Sequence, residues 1–342
     1  METVHTIVVG REAMGCRFEV IFNLLDNSVA TSIGTDALNI IEHIEEQISV
    51  YRMSSEISRI NESSITSWHD LSPDVFDLLW LAKQLHVRTN EAFDVTTGPL
   101  IKAWGFLQKQ GRTPSPEKLT EAVKCSGMKN IEFHEHEHKI RFKRPDVEIN
   151  LGGIGKGWAI DKAVDLIEME GVENFLIHGG HSSVRSRGTR GQPEQKTERN
   201  GWPVGLRHPL LREKRIGTIT LQNKALGTSG SGTQFFIEKG QKIGHILDPR
   251  TGQPAGGVLS ATVLADTAAE ADALATAAYI LGPREIDHIA PEGSTVAAIL
   301  VVKEEHASRL TAILANLDTE QFVTNPTTPG LTVIQAKDFN QK

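Results

Sequence analysis

Cysteine is nearly missing from this chain: Cys16 and Cys125 are the only two among 342 residues. Two thiols cannot build a disulfide framework or, alone, a zinc cluster, and both read as ordinary buried side chains. A basic excess is lacking too. The formal net charge is -7, with 36 Lys and Arg against 43 Asp and Glu, which argues against a large nucleic-acid footprint. No window reaches the roughly 18 consecutive apolar residues of a membrane span. The opening METVHTIVVGREAMG has no basic stretch followed by an apolar run, so a cytoplasmic location is expected for the chain as given. Short repeats and low-complexity tracts are absent. What remains is a globular composition, 39% hydrophobic and 23% charged, long enough to bury a substantial core.

Periodicity places the elements. A strand is expected at Val20–Leu24, then amphipathic helices at Asp36–Val50, Asp74–Thr89 and from Ser115 to Gly127. Three short strands follow at Asn130–Phe133, Lys139–Phe142 and Val147–Asn150, then a helix from about Trp158 to Glu170 and a strand at Asn174–His178. The polar stretch Thr189–Asn200 reads as an exposed loop. Strands are expected at 203–207, 216–221, 234–238, 242–247, 259–265 and 295–302, with helices at 268–281 and 304–316. Strands in pairs and triplets between helices, rather than strict alternation, indicate an α+β fold of mainly antiparallel sheets.

Four segments carry chemistry. Asn150-Leu-Gly-Gly-Ile-Gly-Lys156-Gly lies between a strand and a helix, where glycines admit a ligand close to the backbone and the helix N-terminus faces an anion. It matches neither a Walker loop, since Gly157 follows the Lys, nor GxGxxG; a plain tight turn is the alternative. Asp272 and Thr276 stand four apart among alanines, so on a helix they share a face, and their oxygens suit a hard ion such as Mg²⁺. An exposed helix start is the other reading. The run Thr228-Ser229-Gly230 offers hydroxyl and backbone donors to a phosphate, or is simply a flexible turn. His245 closes a strand before the turn signal Asp248-Pro-Arg-Thr-Gly252, placed to act as a base or to serve structure. The alternating His134, His136 and His138 read as a solvated hairpin rather than a metal trap.

Taken in order, these segments resemble the ApbE family of FAD:protein FMN transferases. The resemblance runs from about Met14 to Gly282 through SVYRMSSEISRIN, AFDVTTGPLIKAWGF, NLGGIGKGWAID, Gly179-Gly180, LGTSG, HILDPRTGQP and ADALATAAYILG. It implies one domain over residues 1–342 with a duplicated T-fold-like architecture, and FAD in the cleft between the two halves. Matched residue by residue, it implies FAD contacts at Met14, Tyr51, Ala92, Phe93, Asp94, Asn150, Lys156 and the backbone of Leu247. The Thr228–Gly230 turn would lie against the pyrophosphate. Mg²⁺ would be held by Asp272, Thr276 and the Gly153 carbonyl, with His245 as base. The implied reaction moves FMN from FAD to a Thr or Ser hydroxyl of an acceptor flavoprotein and releases AMP; FAD hydrolysis and non-catalytic FAD binding are the alternatives. This chain departs from the family at Asn150, where Asp is usual, at His181, where an acidic residue is common, and at Cys16, where Thr is usual. Many relatives are exported lipoproteins, whereas no lipobox Cys stands here.

Overall fold

The computed structural model describes residues 6–339 except 24, 64–66, 109, 192–200, 212, 231, 233, 304–308, 320, 327 and 329. Strands β1 (Thr6–Ala13) and β2 (Cys16–Asn23) pair antiparallel through the two-residue turn Met14-Gly15. Both turn residues have positive φ (48° and 70°), the conformation that matches strand twist in tight hairpins. Helix α1 (Asn27–Ile48) starts nine residues before the expected Asp36. The cause is the Asp26 side chain, which accepts from the Ser28 and Val29 N–H groups and so caps an earlier start. Gly34 lets this extra stretch lie against β1, since a Cβ there would be 2.8 Å from Val9.

The next elements form an insertion: α2 (Glu56–Asn61), β3 (His69–Asp70), α3 (Pro73–Arg88), α4 (Gly98–Ala103), α5 (Pro116–Cys125), β4 (Ile131–His134) and β5 (Lys139–Phe142). The expected strand at Val147–Asn150 is not one. Its backbone is held by a side chain: Asn61 donates to the Ile149 carbonyl at 2.9 Å and accepts from the Ile149 N–H at 2.8 Å. The Asn150 N–H then donates to the Val95 carbonyl at 2.6 Å. These bonds substitute for a strand ladder.

Then come α6 (Gly155–Met169), β6 (Phe175–Gly179), β7 (Ser183–Arg187), β8 (Trp202–Arg207), β9 (Arg215–Leu221), β10 (Ala225–Gly230), β11 (Phe235–Glu238), β12 (Gln241–Gly244), β13 (Ser260–Ala265) and α7 (Ala268–Leu281). The chain ends with β14 (Ala297–Lys303), β15 (Leu310–Ala315), β16 (Phe322–Thr324), β17 (Leu331–Gln335) and α8 (Ala336–Phe339). Two expectations fail here. Leu310–Ala315, expected as part of a helix at 304–316, is a fully buried strand between β14 and β17. A short apolar run cannot by itself tell a buried strand from a helix, and sheet pairing decides. Thr228–Gly230 is not a turn but the end of β10, paired with β13. Of the expected loop at 189–200, residues 192–200 lie outside the described residues.

A nine-stranded sheet runs β1-β2-β6-β7-β10-β13-β14-β15-β17, antiparallel throughout except for the β15–β17 pair. Its topology repeats. The hairpin β1–β2, helices and hairpin β6–β7 are followed by the pair β10–β13, helix α7 and hairpin β14–β15. Helices α1, α6 and α7 cover one face. The small sheet β16-β9-β8 covers part of the other, through Trp202, Leu206, Ile219 and Phe322. Helix α7 is buried nearly all round, which its alanines and two glycines permit. A Cβ on Gly157 would be 2.1 Å from the Ala268 carbonyl oxygen, and one on Gly227 would be 2.4 Å from the Ala271 backbone. Close contact between α6, α7 and β10 is what brings the candidate residues together.

Candidate functional site

Asp272 enters the interior from the second turn of α7 and is 7% exposed. The Gly157 N–H donates to it at 2.9 Å, and the Ser183 hydroxyl donates at 2.7 and 2.8 Å to its two oxygens. Burial pushes its pKa up to about 6, although Lys156, Ser183 and Gly157 all favour the ionised form. Thr276 lies one turn on. Its hydroxyl donates to the Asp272 carbonyl at 3.2 Å and sits 3.1 Å from the Ser229 hydroxyl. Gly153 faces this pair: a Cβ there would be 3.5 Å from Thr276 Oγ1 and 3.4 Å from the Phe93 ring. The side-chain donors are a carboxylate and a hydroxyl, both hard oxygens, with the Gly153 backbone beside them. No cluster of three or more His, Cys, Asp or Glu that could hold a metal occurs among the described residues. A hard ion with one protein carboxylate, completed by ligand phosphates and water, is the kind that fits.

The Asn150–Lys156 turn is less of an anion cradle than its glycines suggested. The Asn150 side chain accepts the Gly152 N–H at 2.9 Å, the Leu151 carbonyl takes those of Ile154 and Gly155, and Asp272 takes that of Gly157. Asn150 thus works as a turn-former, which an amide does as well as a carboxylate. The half-buried Lys156 side chain, with no ion pair among the described residues, is close enough to lower the pKa of His245 and oppose the rise at Asp272.

His245 follows β12. Its Nδ1 lies 3.0 Å from the Gln234 carbonyl oxygen, so Nδ1 carries the proton and Nε2 is the acceptor. Gln234 is itself held by donating to the Phe106 carbonyl at 2.9 Å. Burial lowers the imidazole pKa, and Lys156 lowers it further, so the ring is neutral at pH 7.

Every candidate site residue except Met14 lines one cavity of about 350 Å³, together with Ser182, Gln234 and Phe106. Met14 holds the β1–β2 turn and packs on the core instead. Asp94 reaches the cavity wall, but its carboxylate is spent on structure. It accepts from the Thr96 N–H and hydroxyl at 2.6 Å each and from the Met128 N–H at 3.2 Å, and it pairs with His86 at 3.2 Å. His181 lies outside this cavity on the exposed β6–β7 turn, at positive φ. Sequence reasoning missed Ser183 and Gln234. Ser183 and Arg185 alternate along β7, and both turn toward the helices: Ser183 to Asp272, and Arg185 to Asp161 of α6. Asp161 in turn accepts the Ala268 and Ala269 N–H groups at 2.8 Å each, capping α7 from a neighbouring helix. The alternation puts Ser183 and Arg185 on one face of β7, but nothing local in the sequence names their partners.

The ApbE family model matches residues 14–300. An FAD:protein FMN transferase of Klebsiella pneumoniae is 28% identical over 303 residues, covering 87% of this chain and 84% of the relative. One from Haemophilus influenzae is 28% identical over 312 residues, covering 88% and 87%. Among solved structures, the ApbE protein of Thermotoga maritima superposes with a TM-score of 0.77 at 27% identity, over 87% of this chain and 94% of that one. The apo form of the Pseudomonas stutzeri flavinyl transferase ApbE shares the fold, with a TM-score of 0.79 at 23% identity over 94% and 98%.

Proposed function

The chain belongs to the ApbE family, and from that premise we propose that it transfers the FMN half of FAD to a Thr or Ser hydroxyl of an acceptor flavoprotein, with Mg²⁺, releasing AMP. The observation that carries the reading is the convergence of Asp272, Thr276, Lys156 and His245 on one cavity.

Asp272, Thr276 and the Gly153 carbonyl would hold the metal, which neutralises charge on the pyrophosphate when bound. Lys156 stabilises the same developing charge from the start of α6. Tyr51, 75% exposed at the rim, offers a face for an aromatic ring of FAD. The Ser229 and Thr228 edge of β10 borders the pyrophosphate position. His245 Nε2 takes the proton of the acceptor hydroxyl, because Nδ1 keeps its own against Gln234. The hydroxyl oxygen forms the new bond to the FMN phosphorus. The bond from that phosphorus to the AMP oxygen breaks, and AMP leaves with the electron pair. The nucleophile belongs to the partner, so no Ser-His-Asp triad is required here.

The test is incubation with FAD, Mg²⁺ and a flavoprotein acceptor domain, followed by denaturation. Flavin that stays on the denatured acceptor, with AMP released in equal amount, supports transfer. Free FMN and AMP without labelled acceptor would make the protein a pyrophosphatase, and unchanged FAD would make it a binder.

A further inference from the structure

A second cavity, of about 660 Å³, lies on the sheet face away from the helices, between the nine-stranded sheet and β8. Consecutive residues of β8, from Trp202 to Arg207, all line it. Side chains alternate along a strand, so a space touching every residue runs along the strand's edge rather than one face. Among the described residues no strand pairs with that edge, β8 being bonded to β9 alone.

The charge of the groove is one-sided. Arg190, Arg207, Lys214 and Arg215 line it against the single acid Glu213, and none of the four makes an ion pair among the described residues. Arg207 and Arg215 are register partners across β8 and β9, an arrangement of like charges that costs stability unless an anion sits between them. Arg215 also lies across β8 over Gly205, where a Cβ would be 2.6 Å from its Cδ and 2.9 Å from its Cζ.

The groove reaches the candidate catalytic cavity at one residue, Thr228, which lines both. The β7–β10 pairing ends where the Thr228 N–H donates to the Ser182 carbonyl at 2.7 Å, and beyond it Ser229 and Gly230 pair, among the described strands, only with β13. The sheet therefore has an open step beside the cavity.

We propose that this groove receives an extended, acidic segment of the acceptor protein as an added strand on β8, and that the segment presents its hydroxyl at the step beside Thr228. Main-chain bonds to an open edge give affinity, and flanking cations select an acidic sequence. The inference rests on the flavin-transfer reading for its purpose, but the groove can be tested independently.

The probe is a fluorescein-labelled peptide alternating Asp and Val around one Thr, with a Lys-for-Asp counterpart, titrated onto the full chain by anisotropy. The acidic peptide is expected to bind and the basic one not to. Arg207→Glu should weaken binding at least tenfold while leaving the melting temperature unchanged or higher, because the new Glu would pair with Arg215. A photo-crosslinker in the peptide should label Trp202–Arg207 of the unaltered protein. Equal binding of both peptides, unchanged affinity in the variant, or displacement of the peptide by AMP would overturn the groove. A peptide bound there that gains no flavin from FAD and Mg²⁺ would count against transfer, not against the groove. A peptide flavinylated equally by the variant and the parent would do the reverse.

Discussion

Asp272 is the residue on which the site turns. Its carboxyl belongs to the folded state at a pKa of about 6, against an ordinary value of 3.8. A raised acid pKa means that folding is opposed once the group must ionise. In the metal-free protein the penalty is absent below about pH 4, grows through pH 4–6 and amounts to about 3 kcal/mol above that. Metal-free Asp272→Asn should therefore melt at a higher temperature than the parent at pH 7.5 and at the same temperature at pH 4, read by calorimetry. If Asp272 holds Mg²⁺ as proposed, the ion needs the ionised carboxylate, and its affinity should fall steeply as pH drops below about 6, as isothermal titration would record. His245→Ala should cost about 10²–10⁴-fold in transfer rate while FAD still binds. With the imidazole pKa lowered by burial, the fall in the parent's rate on acidification should have its midpoint below the ordinary imidazole value.

At the scale of elements, the site depends on backbones in close contact. Gly227→Ala would put a Cβ 2.4 Å from the Ala271 backbone, which cannot yield as a flexible side chain could. The expected cost is about 1–3 kcal/mol in denaturant titration, with lowered metal affinity because α7 must shift. Helix periodicity made α3 and α7 plain in the sequence, and α7 carried Asp272 and Thr276 at the right spacing. Element ends were less legible where side chains from elsewhere decide them. Asp26 sets the start of α1, Asp161 caps α7 across a helix contact, and Asn61 stands in for a strand at Ile149. β15 was hidden for the opposite reason, being apolar on both faces.

At the scale of the whole molecule, the chain places a repeated strand–helix–strand plan in one sheet, with chemical groups drawn from α6, α7, β10 and the loop after β12. No local window could reveal that Ser183 supports Asp272, 89 residues away, or that Gln234 orients His245. The ordered motifs name residues that line one cavity. Within that cavity Asn150 also forms its own turn, and the Asp94 carboxylate is hydrogen-bonded within the protein. Among the described residues no helix is long and apolar enough to cross a membrane. The most direct test is the initial rate of covalent flavin attachment to an acceptor domain, measured over a range of Mg²⁺ for the parent and Asp272→Asn. If Asp272 carries a catalytic metal, the parent shows a saturable Mg²⁺ dependence and the variant at least about a 10²-fold loss, with FAD and the folded state retained. Equal rates in the two proteins, or attachment undiminished in a chelator, would contradict it.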